Sequence, residues 1–391
     1  MPKVTVILTS YNHAKYLRDS IESILNQTFT DFELIIGDDA STDESWEIIQ
    51  SYSDPRIFAY KHETTRQGVI NETVLSGKIS SDYIAIQHSD DVWEPEKLER
   101  QVALLDENPQ VGAVFTNLLM VGESGKPLFD ETHSSTTVFD QPNRGRYEWL
   151  NYFFQIGNPL CHPSVLIRRV CYEECGVYRY GLAQLGDFDL WVRLCLKYEI
   201  HILPEKLLRL RVRLNEMNAS ANRPDSRIRR QFEFLKILDN FRNIATFDEL
   251  RQIFPTAEKY ARSDGFDVEF ILGMISLESE TFYGNITHLF GLTLLFETLS
   301  DPARSIKIAK LYDFNQQNFF KLSARYDIFS VELAANFASR ITEKEQEVST
   351  LIEEKATLME EKATLIEEKN YLTRMLLEIQ GSRAWRLVTA Y

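Results

Sequence analysis

The stretch VTVILTSYNHAKYLRDSIESILNQTFTDFELIIGDDASTDES, residues 4–45, decides the fold. Its first run, VTVILT (4–9), is short, apolar and β-branched, the composition of a strand with both faces covered. Leu17, Ser20, Ile21, Ile24 and Leu25 then recur on one face of a 3.6-residue period and predict an amphipathic helix. FELIIG (32–37) is a second strand, so the stretch is a strand–helix–strand unit. The rhythm continues outward. STDESWEIIQSY offers Ser41 or Thr42 as the N-cap of another helix, RIFAY (56–60) and YIAIQ (83–87) are strands, and a helix is expected around 68–78. EPEKLERQVALLDENP carries Pro95 in the first turn of a helix with Leu98, Val102 and Leu105 on one stripe, and VGAVFT (111–116) is a fifth strand. Alternation of this kind predicts a mostly parallel α/β sheet. Such sheets bind ligands beyond the carboxyl ends of their strands, where SYN (10–12), DDAS (38–41) and HSDD (88–91) fall.

From 120 to about 160 Gly, Ser, Thr and Pro dominate, and loop with a short hairpin is expected there. SVLIRR (164–169) resumes strand character, GDFDLWVRLCLKY (186–198) reads as an acidic turn opening a helix, and HILPEKLLRLRVR closes this unit near 215. Residues 225–340 are poor in β-rich runs and amphipathic throughout, a helical second domain. In LIEEKATLMEEKATLIEEKNY, Leu351, Leu358, Leu365 and Leu372 stand seven apart, the period of a coiled coil; with Leu at d, the a positions are Lys355, Lys362 and Lys369, which weaken it. The expected division is 1–215, 216–340, a coiled-coil helix over 341–380 and an aromatic, basic tail over 381–391.

The chain has 391 residues, 44% hydrophobic and 26% charged, ample for a globular core. A net charge of −15 argues against a general nucleic-acid binder, which needs clustered Lys and Arg. Cys161, Cys171, Cys175 and Cys195 lack zinc-ligand spacing and read as buried thiols. The start lacks the apolar run of a signal peptide, and HLFGLTLLFETL (288–299) is too short for the ~20 residues of a membrane helix. A cytoplasmic protein is expected.

Adjacent aspartates are the candidates for chemistry. Asp38–Asp39 and Asp90–Asp91 end two strands, and GDFD (186–189) opens a later helix. Asp is common as a helix cap, and for Asp38 that explanation is strong. For Asp90 and Asp91 it is weaker, because the next helix begins several residues on. Side-by-side carboxylates are tolerated when a divalent cation neutralises them, and one or two protein carboxylates suit Mg²⁺ or Mn²⁺ bridging to a phosphate. Neither a Gly-x-Gly-x-x-Gly turn nor a Walker sequence is present. Tyr11 is placed to stack on a base, although packing is its commoner use.

These motifs together, with HSDDVWEPEKLERQ, NPLCHPSVLIRR and GDFDLWVRL following in order, resemble the family 2 glycosyltransferases of the GT-A fold over residues 1–215. The resemblance implies that Asp39 binds the nucleotide base with Thr9 and Tyr11 beside it. It implies that Asp90 and Asp91 form the metal and diphosphate site, Asp91 as ligand to Mg²⁺ or Mn²⁺. It implies that Asp187 is the catalytic base of an inverting displacement. There are departures. His88 stands where many members have the first Asp of Asp-x-Asp, and LRVRLNEMNAS has Leu210 and Arg213 at the Tyr and His places of a Tyr-Arg-x-His element. Arg213 cannot ligate a metal but can contact diphosphate. SRAWRLVTAY (382–391) is similar to an element of large bacterial surface-polysaccharide glycosyltransferases.

The expected function is therefore transfer of a sugar from a nucleotide-diphosphate donor to a glycan or lipid-linked acceptor in surface polysaccharide synthesis. Peripheral contact with the inner membrane face and a homo-oligomer through the coiled coil accompany it. The alternative is a non-catalytic scaffold that keeps the GT-A fold and acts through its helices.

Overall fold

A computed structural model of the chain describes residues 1–66, 68–128, 138–213 and 223–381. The strands are β1 (Val4–Ser10), β2 (Phe32–Asp38), β3 (Ile57–Lys61), β4 (Tyr83–His88), β5 (Val92–Trp93), β6 (Val111–Val121), β7 (Leu166–Arg168) and β8 (Glu199–Arg211). They form one eight-stranded sheet in the order β3-β2-β1-β4-β7-β6-β8-β5. The first four are parallel, β7 runs antiparallel to both β4 and β6, and β8 returns parallel to β6.

Around the sheet lie α1 (Ala14–Leu25), α2 (Ser45–Gln50), α3 (Val69–Leu75), α4 (Lys97–Glu107), α5 (Arg146–Gln155), α6 (Arg169–Cys175) and α7 (Gly186–Cys195). The period-two pattern of the strands splits the core between two faces. Val6 and Leu8 of β1, Ala85 of β4 and Val114 of β6 pack with Leu17 and Ile21 of α1 and Leu98 and Val102 of α4. Their neighbours Ile7, Ile84, Ile86 and Phe115 point the other way, onto Trp149 and Phe153 of α5 and Trp191 of α7.

The helical region, α8 (Pro224–Leu238), α9 (Phe247–Ile253), α10 (Val268–Glu278), α11 (Gly284–Ser300), α12 (Pro302–Tyr312) and α13 (Gln316–Arg325), extends that second core. Phe234 lies 6.1 Å from Phe188 and Phe241 lies 5.3 Å from Phe154, ring to ring. Residues Met1–Tyr326 accordingly form one compact unit, and Asp327–Tyr391 a second. Composition changes at 215, and the apolar core runs through it. In the second unit α14 (Val331–Gly381) is a single helix of 51 residues with none buried. The 382–391 tail lies outside the described residues. Among the described residues no helix is long and apolar enough to cross a membrane.

Three local expectations give way. The region expected as loop and hairpin holds α5, whose Trp149, Leu150, Phe153 and Phe154 are all buried at helical spacing. Val92–Trp93 is a short strand, paired antiparallel with Leu208 and Arg209 of β8. α2 starts at Ser45 because Ser41 and Thr42 are engaged with the neighbouring loop: Ser41 Oγ accepts from Asn12 N at 2.9 Å, and Thr42 N donates to Asn12 Oδ1 at 2.8 Å.

Gly37, near the end of β2, allows α3 to approach: a Cβ there would lie 2.3 Å from Val69 Cγ1 and 3.0 Å from the Tyr60 ring. Gly37→Ala is expected to cost about 1–3 kcal/mol through overpacking. The measurement is urea denaturation, which should show a lower midpoint with an unchanged slope.

Candidate active site

Register brings the carboxyl ends of β2, β1 and β4 side by side: Thr9 is level with both Gly37 and His88, and Ser10 with Asp38. The chain beyond them is strained. Asn12 (φ 52°) and Ala40 (φ 66°) sit in the left-handed region, which costs a non-glycine residue about 1 kcal/mol or more. The cross-bonds from Asn12 to Ser41 and Thr42 hold both loops in that state.

Asp39 is 6% exposed. Its Oδ1 accepts from His62 Nδ1 and from Arg66 N, both at 2.9 Å. His62 Nε2 lies 2.8 Å from Glu72 Oε2, so a buried imidazole is wedged between two carboxylates. Tyr11, which follows β1, is 47% exposed.

At the end of β4, Asp90 and Asp91 are both buried. Asp91 Oδ1 accepts from Arg211 N at 2.8 Å, and the Arg211 guanidinium, over the Tyr16 ring, donates to Asp90 O at 2.8 Å and Glu123 O at 2.9 Å. Gln87 Nε2 donates to Asp91 O at 2.8 Å. Burial, and then the Asp90 charge, still push the Asp91 carboxyl well above the usual range, against the pull of Arg211 and Arg213. Arg213 Nε stands 3.3 Å from Asp90 Oδ2 and Arg213 Nη1 is 2.8 Å from His13 Nε2. A guanidinium only donates, so His13 Nε2 carries no proton and Nδ1–H is left to face Ser89 Oγ at 2.8 Å. Burial, with Arg213 beside it, lowers the His13 pKa and keeps that neutral form.

A polar chain leads on from this turn. His88 Nδ1 is 3.8 Å from Asp91 Oδ2, and His88 Nε2 is 3.2 Å from His162 Nδ1. His162 Nε2 is 2.8 Å from the Tyr178 hydroxyl. Asp187 lies beyond, in the first turn of α7, its Oδ1 accepting from Phe188 N at 2.7 Å and its Oδ2 from Asn158 Nδ2 at 3.2 Å. Burial pushes its pKa up to about 6, partly offset by those two donors and by its own backbone N–H. The buried Cys161 thiol feels both Asp91 and Asp187, which raise its pKa further, so the two carboxylates flank one short segment.

Comparison with known proteins fits this arrangement. The family model described as glycosyl transferase family 2 matches residues 5–173. The chain is 32% identical over 197 residues to the putative glycosyltransferase EpsE of Bacillus subtilis, covering 49% of this chain and 66% of that one, about two thirds of its length. It is 30% identical over 223 residues to the uncharacterized glycosyltransferase MJ1057 of Methanocaldococcus jannaschii, covering 54% of this chain and 71% of that one. The chain belongs to glycosyl transferase family 2. A crystal structure of Staphylococcus aureus TarS 1-349 in complex with UDP-GlcNAc superposes with a TM-score of 0.51 at 16% identity, over 83% of this chain and 91% of that one. The fold is therefore GT-A.

On this family 2 framework, Thr9 and Asp39 stand at the ends of neighbouring strands, Asp90 and Arg213 are paired, and Asp91 and Asp187 both act on Cys161. His13, His62, Asn158, Tyr178 and Arg211 were not singled out in the sequence. His13 directly follows the SYN loop and Asn158 opens NPLCHPS, so proximity to a motif was a usable signal; His62 and Tyr178 carried none. Residues for a cation are few. Among the described residues no three His, Cys, Asp or Glu side chains are grouped to hold a metal. Asp91 Oδ2 and His88 Nδ1 lie 3.8 Å apart, and the burial and the Asp90 charge that raise Asp91 are what a cation would offset. They fit a Mg²⁺ or Mn²⁺ that keeps most of its shell from water and phosphate. His88 would then be oriented through its other nitrogen by His162.

The Arg213–Asp90 pair is testable by a double-mutant cycle. Arg213→Gln should cost about 1–3 kcal/mol because it strips a partner from a buried carboxylate. Asp90→Asn in that background should recover much of the loss, a coupling read from denaturation midpoints. Strictly additive effects would show that the pair contributes nothing.

Proposed function

We propose that the protein transfers a sugar, with inversion, from a nucleoside-diphosphate donor to a glycan or lipid-linked acceptor in cell-surface polysaccharide assembly. The observation that carries this reading is the Asp187 carboxyl, held near a pKa of 6 and acting with Asp91 on the same buried Cys161. A base of that strength is ionised at neutral pH and can still accept a hydroxyl proton. Asp39, Tyr11 and Thr9 bind the nucleotide base, and Arg213 meets the diphosphate. Asp91, with His88, would hold Mg²⁺ or Mn²⁺, which supplies neutralisation of the departing diphosphate. A donor of this class is also what the TarS complex contains. The lipid-linked acceptor would bring the protein into peripheral contact with the inner membrane face.

The scaffold reading draws on α14, whose leucines at 351, 358, 365 and 372 are all more than half exposed. Self-association through that seam is compatible with catalysis, and we propose it as an addition. Replacing Leu358 and Leu365 together by Asp in the full chain should convert an oligomer to a monomer in sedimentation without changing donor binding; a natural chain already monomeric at micromolar concentration removes the idea.

Asp187→Asn is expected to lower transfer by about 10²–10⁴-fold. A donor-induced rise in melting temperature, with UDP-, GDP- and dTDP-sugars and Mn²⁺, should be retained. In the natural chain kcat/KM should fall about tenfold per pH unit below about 6, where the base takes its proton. The stability effect has the opposite sense to that of an ion-paired carboxylate. The folded pKa is raised, so ionisation weakens the fold from about pH 4 up to about pH 6 and fully above it. Asp187→Asn should therefore melt no lower than the natural chain at pH 8, with any gain shrinking as pH falls to 4. Normal transfer by this variant removes Asp187 as base, and absence of any melting shift with all donors favours the scaffold.

A further inference from the structure

Asp187 is aimed by groups that come from outside the segment on which the family resemblance rests. The turn leading into α7, Ala183–Gln184–Leu185, presents three successive backbone N–H groups, and all three donate to the carboxylate of Glu233 on α8. The distances are 2.9 Å from Ala183 N to Oε1, and 2.8 Å from both Gln184 N and Leu185 N to Oε2. Glu233 is 1% exposed. A buried carboxylate satisfied by three backbone donors is a strong, directional fastening, because each bond is charge-assisted and the negative charge faces a helix start. Gly186 and Asp187 follow directly.

A second fastening lies two residues beyond. Asp189, fully buried, accepts from Asn240 Nδ2 at 2.8 Å and pairs with Arg193 at 2.8 Å and Arg179 at 3.1 Å. Arg179 Nη2 in turn donates to Asn240 Oδ1 at 2.9 Å. Asp187 thus stands between two anchor points, and the helical segment supplies a polar partner at each. Among the described residues its own carboxyl accepts from Asn158, the Phe188 N–H and its own backbone N–H, none of which fixes the direction in which α7 runs.

We propose that Glu233 is a positioning residue for Asp187: its carboxylate fixes the 183–185 turn, and through it the direction and the dryness of the base. This rests on Asp187 being the base. Reorienting a base by about 1 Å costs about a hundredfold in rate, while donor binding, made at the other end of the cleft, is untouched. Releasing the turn also lets water reach Asp187. The titratable groups that face it, the Cys161 thiol and the Tyr178 phenol, stay neutral, so hydration is what then moves its titration.

The test uses the full chain with Glu233→Gln and Glu233→Asp, scored for kcat, for KM of donor and acceptor, and for the pH dependence of kcat/KM with each rate divided by the folded fraction. In Glu233→Gln one oxygen becomes an NH₂ group facing backbone donors. Expected are a tenfold to hundredfold fall in kcat, an unchanged donor KM, and an acid limb displaced from about pH 6 toward the ordinary carboxylate range. Glu233→Asp, which keeps the charge but not the reach, should show the same signature more weakly, and it carries the test should the Gln variant fail to fold. Loss of activity only in proportion to folded protein, with the acid limb unmoved, overturns the proposal. Asp187→Asn run in parallel separates the two readings. If it is fully active the base assignment has failed, whereas an inactive Asp187→Asn beside an unperturbed Glu233→Gln sinks the Glu233 proposal alone.

Discussion

Two carboxylates next to each other at the end of a buried strand repel, and much of the cleft is built to restrain them. Asp90 and Asp91 could be relieved by water, by protonation or by cations, and the fold supplies cations from the far edge of the sheet. β8 reaches them because the short β5, directly after Asp91, pairs with it at Leu208 and Arg209. That pairing brings the Arg211 amide onto Asp91 and the Arg213 guanidinium beside Asp90. The compensation is incomplete, since Asp91 is still displaced toward its neutral form. A buried site left partly uncompensated would gain by binding a further cation.

The same economy of charge shapes the floor beneath. Lys97 is fully buried, donates to Gln101 Oε1 at 2.9 Å and lies 3.9 Å above the Trp93 ring. Burial drives its pKa well down, so the ammonium is held at the expense of its charge. Gln101 passes the network on, donating at 2.8 Å to both Val114 O and Ser164 O, and Trp93 Nε1 donates to Pro163 O at 3.2 Å. These bonds brace the Cys161–Ser164 segment, which carries His162 toward His88. A surface-like Lys in the sequence EPEKLE is here a structural support.

How much of this was legible depends on range. The strand–helix alternation over residues 4–116 is a local signal, and the parallel core with its aspartate-bearing strand ends appears where periodicity put it. α5 was obscured because a Gly-, Ser- and Pro-rich stretch precedes it, although Trp149, Leu150, Phe153 and Phe154 have plain helical spacing. Ser41 and Thr42 resembled helix caps, and only the three-dimensional neighbour Asn12 reveals their other use. Partnerships across long separations left no trace at all. His62 with Asp39, Arg211 with Asp91 and Glu233 with the 183–185 turn each join residues that no periodicity links, and ordinary charged residues of this kind look the same whether they face solvent or a buried partner.

The two ends of the cleft hang from different cores. The Asp90–Asp91 turn is braced on the sheet face where Trp93, Leu98 and Cys161 pack, whereas Asp187 is carried by Phe188, Leu190 and Trp191 on the opposite face. Close-packed cores shift between discrete arrangements more readily than they deform. The separation of the Asp90–Asp91 turn from Asp187 is therefore set by the sheet between the two cores and by the packing on either side of it. The helical segment is part of that packing: Phe234 sits against Phe188 on one turn of α8, and Glu233, the preceding residue, holds the turn before Asp187. A sheet domain cut off near residue 215 would lose Glu233 and Asn240, the partners of the turn before Asp187 and of Asp189 after it.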